Sequence, residues 1–502
     1  MWFVALAFIT ATASAVAQTN PASIAARQWR QQHERAIIDE FVSLLSIPNI
    51  ARDKENIRRN AEAISAMMER RGIATRLVAV PNANPVVFGE IKTPNATRTI
   101  VFYAHYDGQP LDEREWATPP FKPALKRAGA SSNSRETIPL PPAATAFDPE
   151  SRLYARGAGD DKAPIVALLS ALDAIRAAGL RTKSNIKFAF EGEEEAGSPN
   201  FAAILAANKP LFSGDVWLDL DGPVHQSRRQ SVRFGERGIA VVTITVYGAQ
   251  HELHSGHYGN WAPNPAMMLA KLLASMKDDN GRVLVEHFYD GIEPLSPLEQ
   301  QAIADIPDYD AELRREFLLG SSENPSKHLA ELIMQPSLNI RGMSSARTGS
   351  QASNVIPSTA TATIDMRLVK GMDPQVTANR LIEYIREQGF FVTSTEPDAD
   401  TRRAHAKVAW VVQEQGEHAH RTPMDVPIAA DVIRAVESAR GQVIKIPSSG
   451  ATGPDAAGSV LGMPWINVPI ANHDDNQHTF DENLRIQNLW DGIELMAALL
   501  TM

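Results

Sequence analysis

Thr99 to Tyr103 is an unbroken run of β-branched and aromatic residues. Ile186 to Phe190 and Val216 to Leu220 are two further short runs that read as buried strands. Ala163 to Ala178, between the first two, is helical in pattern and ends before Gly179. Strands alternating with helices in this way predict an α/β fold with a mainly parallel sheet. Upstream, Glu34 to Ile47 carries Ile37, Ile38, Phe41, Val42, Leu44 and Leu45 on one face, an amphipathic helix that Pro48 stops. Lys126 to Glu150, rich in Ser, Pro and Ala, reads as a long surface excursion.

The texture changes after Phe234. Ile239 to Tyr247 is a β-branched strand, and Asn264 to Met276 is a helix. Thr359 to Leu368 alternates as a half-exposed strand, and Asp373 to Gln388 is an amphipathic helix closed by Gly389. The polar segment Asp290 to Pro336 reads as mostly helical elaboration. The α/β pattern resumes near Asp425, with strand Trp465 to Ile470 and a closing helix Ile486 to Leu500. A chain of 502 residues is long enough for two or three domains at roughly 100–200 residues each. The expected division is an outer α/β domain of residues 18–233 and 401–502, interrupted by an α+β domain of residues 234–400.

Residues 1–17 are set apart. Trp2 to Ala17 is apolar and ends Ala15-Val16-Ala17-Gln18, a small-x-small cleavage pattern. It predicts a signal peptide and export to the periplasm or beyond. No Lys or Arg precedes it, the first charge being Arg27, and the alternative is a buried N-terminal helix. The stretch is too short for a comfortable membrane span.

Composition removes whole classes of function. With 49 basic against 59 acidic residues the chain carries a net charge of −10, which disfavours nucleic-acid binding. It has no cysteine, so disulfides, thiolate nucleophiles and sulfur-ligated metals are excluded. Any transition-metal site must use His, Asp and Glu.

Five stretches offer such residues where α/β folds place their sites, at strand ends and helix starts. In Tyr103-Ala104-His105-Tyr106-Asp107-Gly108, His105 and Asp107 project from one face of extended chain. A metal-ligating His usually passes its other ring N–H to a carboxylate, and His-x-Asp supplies both groups. Taken alone, that motif is better explained by an ordinary strand-end turn. In Gly157-Ala158-Gly159-Asp160-Asp161-Lys162 the paired acids suit a helix cap, but the Gly-x-Gly before them suits close approach of backbone to a ligand. Glu193-Glu194-Glu195 caps an apolar strand and is followed by Gly197 rather than by a charged helix. One carboxylate there can hold a metal while its neighbour moves a proton. Asp219 and Asp221 share a strand face, and Asn472-His473-Asp474-Asp475-Asn476-Gln477-His478 is the densest His and Asp window. Taken together, imidazoles and carboxylates at successive strand ends suit Zn, Co or Mn, in particular as a pair of ions about 3.5–4 Å apart.

These motifs, in this order, resemble those of the family-20 metallopeptidases, the dinuclear zinc hydrolases that include carnosinase, carboxypeptidase G, acetylornithine deacetylase and succinyl-diaminopimelate desuccinylase. The resemblance runs from about Glu34 to the C-terminus. It implies a phosphorylase/hydrolase-like catalytic domain and an inserted ferredoxin-like dimerisation domain. It implies two divalent ions, zinc foremost, with His105, Asp160, Glu195, Asp221 and His478 as metal ligands. Asp160 would bridge, on a cis peptide bond to Asp161. Asp107 would orient His105, and Glu194 would be the general base. Phe234-Gly235-Glu236-Arg237-Gly238 resembles the family's aromatic-Gly-x-Arg-Gly run. His254, in Leu253-His254-Ser255-Gly256, resembles the histidine that reaches a neighbouring subunit's site in a homodimer and stabilises the oxyanion. Asn354 and Arg367 resemble substrate-gripping residues, Arg367 for a free carboxylate. Gly450 lies in Ser448-Ser449-Gly450-Ala451-Thr452-Gly453, which resembles a Gly-rich loop lining the site. The departures are Ala163, where the family usually has Gly, and the spacer Asp290 to Pro336, which suggests the longer, carnosinase-like branch. His251, His257 and His473 are assigned to the rim.

The expected reaction is hydrolysis of the amide bond in a dipeptide or short peptide with a free C-terminal carboxylate. The alternative within the enzyme class is an N-acyl amino acid deacylase. The competing class is a periplasmic solute-binding protein, which needs neither adjacent glutamates nor two histidine ligands.

Overall fold

The computed structural model describes residues 19–414, 416–450 and 456–502. The expected signal peptide and Ala451 to Gly453 lie outside these residues. An eight-stranded sheet forms the larger unit. Its order is Thr75–Val78, Val86–Ile91, Asn185–Glu191, Thr99–His105, Val216–Asp219, Trp465–Asn467, Ser231–Arg233 and Ile444–Ile446. Thr99–His105 runs parallel to both Asn185–Glu191 and Val216–Asp219, and Trp465–Asn467 runs parallel to Val216–Asp219. The first two strands are antiparallel to their neighbours.

Register decides what this sheet presents. His105 pairs with Glu191, Tyr103 with Asp219, and Asn467 with Asp219. The carboxyl ends of four strands are therefore nearly level, and the loops after them leave the sheet along one edge. One face is covered by Pro21–Leu45, Lys162–Ala177 and Ile486–Leu500, which pack on one another. Lys162–Ala177 is apolar nearly all round because sheet and helices enclose it. On the other face Tyr103, Trp217, Phe201, Phe212 and Trp465 form a second aromatic-rich layer.

Most expected elements are present, with shifted ends. The helix expected from Glu34 begins at Pro21, where the Asn20 side chain accepts from the Ala22 and Ser23 amides and Pro21 occupies the first turn. The strand expected through Ile470 ends at Asn467. Asp290 to Pro336 contains three short helices, Pro297–Ala304, Asp310–Glu316 and Leu329–Ile333, joined by the non-helical residues 305–309 and 317–328, so it is less helical than expected. No helix among the described residues is long and apolar enough to cross a membrane.

A five-stranded sheet forms the second unit, in the order Ser337–Ser344, Thr359–Leu368, Gly238–Tyr247, Val408–Gln413 and Phe391–Thr393. Helices Pro265–Ser275 and Pro374–Glu387 contribute to its separate core through Leu269, Leu272, Leu381 and Ile385. One boundary needs correction. Val408–Gln413 was expected in the closing part of the outer domain, beyond residue 400. It pairs instead with Gly238–Tyr247, burying Val408, Ala409 and Val411. The crossing between the two sheets is a short antiparallel ladder, Gly235–Glu236 against His420–Arg421, followed by the pairing of Ile239 with Glu417. A Cβ on Gly235 would collide with the His420 carbonyl, and one on Gly238 with the Glu417 carbonyl. Those two glycines let the outgoing and returning chains touch.

Candidate metal centre

The level strand ends and the loops beside them bring six acidic or imidazole side chains to one point. His105 ends its strand with the ring fully buried. Its Nε2 lies 2.8 Å from Asp160 Oδ1, 3.8 Å from Asp221 Oδ1 and 3.8 Å from Glu194 Oε2. The other oxygen of Asp160 lies 3.2 Å from His478 Nε2, which is 3.4 Å from Glu195 Oε2. Asp160 thus stands between two imidazoles, with one oxygen toward each. Its bond to Asp161 is cis, as the resemblance implies.

Local structure aims each group. His105 Nδ1 faces the Asp107 main-chain oxygen at 3.2 Å and the Asp107 carboxylate at 3.5 Å. The two carboxylate oxygens of Asp107 also accept from the amides of Glu194 and Glu195, at 3.1 and 3.0 Å. One aspartate therefore orients both the histidine and the turn that carries the paired glutamates. The loop bearing Asp160 is held from beneath by Glu482, whose buried carboxylate accepts from Arg156 Nη1 and from the amides of Gly157, Gly159 and Asp160 at 2.8–3.0 Å. Gly159 passes so close to Asp475 Oδ2 that a Cβ would sit 2.8 Å from it.

Three residues of this centre were not among the sequence candidates. Asp161 accepts from the His105 amide at 3.3 Å and forms, with His105 and Asp221, a group whose ligating atoms lie within 4.8 Å of one another. Its place beside Asp160 was the only signal for it. Gln109 donates to Glu195 at 2.5 Å, one residue past His-x-Asp-Gly. Glu482 had no signal, since its partners are contributed by a loop more than 300 positions away.

The electrostatics are those of a cation site. Burial works against charge on His105, yet the carboxylates of Asp107, Asp160 and Asp221 hold its pKa well above the usual range. Contact with Asp160 lifts His478 to about 9. Burial, reinforced by Asp160, lifts Glu195 to about 8, and burial also lifts Glu194 well above the carboxylate range. Among the described residues no Lys or Arg pairs with Asp160, Glu194, Glu195 or Asp221. His105 Nε2 and Asp221 Oδ1 are buried, and neither makes a hydrogen bond of good geometry, although His105 Nε2 lies 2.8 Å from Asp160 Oδ1. A donor set of two imidazoles and several carboxylates, short of positive charge and with unpaired buried atoms, fits divalent cations.

The remaining candidates lie elsewhere. His254 and Asn354 come together in a small ladder of Leu253–His254 with Val355–Ile356, where the Ser255 amide donates to the Asn354 carbonyl. His254 is exposed, stacks near His257, and accepts from the Gly256 amide. Arg367, on Thr359–Leu368, has its Nε 3.4 Å from Asp365 Oδ2. Gly450 lies beside the Ile333 side chain, on the wall of a cavity that also reaches Gln477.

A family model described as peptidase family M20/M25/M40 matches residues 101–502, from the strand that ends in His105 to the last residue. The chain belongs to that family. The M20 membership makes it a metal-dependent peptidase. Among its relatives, the Cys-Gly metallodipeptidase of Schizosaccharomyces pombe is 26% identical over 491 residues, covering 91% of this chain and 94% of that protein. Human Beta-Ala-His dipeptidase is 26% identical over 489 residues, covering 92% and 89%. Among solved structures, an M20 family metallo-carboxypeptidase from Sulfolobus solfataricus superposes with a TM-score of 0.74 at 25% identity, covering 92% of this chain and 98% of that one. Human carnosine dipeptidase 1 shares the fold, with a TM-score of 0.72 at 23% identity over 95% and 98%. The α/β fold of the M20 peptidases is thus the fold of this chain.

Proposed function

We propose that this peptidase hydrolyses dipeptides or short peptides with a free C-terminal carboxylate, using two zinc ions. The observation that carries the reading is the Asp160 carboxylate, with one oxygen toward His105 and the other toward His478. His105, Asp160 and Asp221 would hold one ion, and His478, Asp160 and Glu195 the other. The relatives named as dipeptidases support the substrate class. Divalent ions held there would polarise the scissile carbonyl and make a water more acidic. Glu194 takes the proton from the attacking water and returns it to the leaving amine. Arg367 grips the substrate carboxylate, and Asn354 donates to the substrate. A solute-binding protein would have no use for a base beside a ligand. Hydrolysis of a dipeptide panel by zinc-reconstituted protein, with metal counted on the same sample, is the direct test. No cleavage of any dipeptide, or no bound metal, overturns it.

Glu482 is assigned to positioning. Glu482→Gln replaces an oxygen that accepts main-chain amides by a group that donates, which disturbs the Asp160 loop while leaving every proposed ligand side chain in place. Metal affinity is expected to fall about 10–100-fold, as for partners that orient metal ligands. Competition with a chelator measures it, and an unchanged affinity removes Glu482 from the role.

We further propose a homodimer in which His254 serves the partner's site. Its contacts within the chain stay in the second unit, and its exposed imidazole is free to donate to a developing oxyanion. Mixing His254→Ala with Glu194→Gln under subunit exchange is expected to restore activity, up to about half of wild type per mixed dimer, because one of its sites combines both lesions and the other has neither. Loss of one oxyanion donor costs about 10²–10³-fold in turnover, so the recovery is large. Demonstrated exchange without recovery places His254 outside the shared site.

A further inference from the structure

A cavity of about 840 Å³ opens beside the metal centre. One wall is the polypeptide just after Asp221, Pro223 and Val224, and another includes Gln477, next to His478. The facing wall comes from the Asp290 to Pro336 segment, with Ile303, Ile306, Leu313, Phe317, Ile333 and Met334. Most of these are not fully packed. Ile303, Ile306, Leu313 and Ile333 are half-buried, and Phe317 is 59% exposed.

The charged groups around the cavity are already engaged. Arg233 donates to the Pro223 carbonyl. Glu331 accepts from the His328 amide at 2.9 Å, and the His328 ring lies 3.2 Å from Asp310 and 3.5 Å from Asp308. His473 Nδ1 lies 4.0 Å from Asp474. Burial pushes His225 down to about 4, so its ring is neutral at ordinary pH. The Ser449 hydroxyl is buried in the lining without a hydrogen-bond partner, and the rest of the surface left uncovered is mainly apolar. Arg367, the proposed grip on the substrate carboxylate, is not part of the lining.

We propose that this cavity takes the side chain of the acyl-side residue of the substrate and selects one that is bulky, apolar and uncharged. The inference rests on the hydrolase reading above. With the carboxylate end of the substrate held by Arg367 outside the cavity, the group left to enter it is on the other side of the scissile bond. The helical elaboration between the sheets thereby acts as a specificity element.

The test compares X-Gly dipeptides, with X as Gly, Leu, Phe, Glu or Lys, on zinc-reconstituted protein. Filling an apolar pocket by a methylene or more is worth on the order of 10–200-fold in specificity. Phe-Gly and Leu-Gly are expected to exceed Gly-Gly in kcat/KM by about that factor, and Glu-Gly and Lys-Gly to gain nothing over Gly-Gly. Ile306→Trp and Ile333→Trp, each of which occupies the cavity, are expected to lower the Phe-Gly to Gly-Gly ratio by about tenfold or more. Both substrates are measured on one sample, so the ratio does not depend on the fraction of variant that folds. Equal or greater rates with charged X, or a ratio that neither variant moves, overturns the inference. Cleavage of Gly-Gly without a gain for Phe-Gly defeats this inference alone. Failure to cleave any dipeptide defeats the hydrolase reading and this inference together.

Discussion

Glu194→Gln is expected to lower turnover by about 10²–10⁴-fold while metal content stays at the wild-type level. The carboxyl sits 3.8 Å from His105 Nε2, on a turn fixed by hydrogen bonds from the Glu194 and Glu195 amides to Asp107. Burial first, and then its acidic neighbours Asp221 and Glu195, push its pKa well above the carboxylate range. A protonated Glu194 could not accept a proton. Divalent cations held by His105, Asp160 and Asp221 would favour the ionised form of Glu194. Glutamine keeps the size and most of the hydrogen bonding but accepts no proton. Rate and elemental analysis on the same preparation separate the outcomes. Full turnover would remove Glu194 as the base, and loss of metal would exchange its role with that of Glu195.

If two ions share the Asp160 carboxylate as proposed, Asp160→Ala is expected to abolish activity by emptying both positions, whereas His478→Ala mainly loosens one. The difference follows from geometry. Asp160 places an oxygen at 2.8 Å from one imidazole and the other at 3.2 Å from the second, while His478 reaches only Asp160 and Glu195. His478 is also half-exposed at its side chain, where Asp160 is buried. Metal-to-protein ratios after zinc reconstitution decide it. Two ions retained by Asp160→Ala would end the shared-carboxylate arrangement.

The site was more legible in the sequence than the path between its parts. His105, Asp107, Glu194, Glu195 and Asp221 each follow a short apolar run within a few residues. Strand ends on a parallel sheet are brought level by register alone, so local motifs predicted a spatial cluster. Glu482 has no such motif; its importance comes from four donors on a distant loop. The start of the first helix was signalled by Asn20-Pro21, but its first turns carry small and polar residues rather than an apolar stripe, so periodicity began only at Glu34. The end of the second unit was misplaced because Val408–Gln413 reads as a strand equally suited to either sheet. Only its non-local pairing with Gly238–Tyr247 decides which one it joins.

The ladder of Gly235–Glu236 with His420–Arg421 has a consequence for how such a chain tolerates growth. From the standpoint of the eight-stranded sheet, everything between those two segments is the tip of a hairpin whose base is already hydrogen-bonded. Loop-closure entropy rises only slowly with loop length, by about 0.6 kcal/mol per doubling, and here the ends are pinned by pairing rather than by the loop itself. Residues can therefore be added or removed beyond that base, in the spacer that walls the cavity included, with little thermodynamic penalty passed back to the strands that carry His105 and Asp221. The cavity lining and the outer faces of the second unit can drift in such a chain while the strands that carry His105 and Asp221 stay where they are.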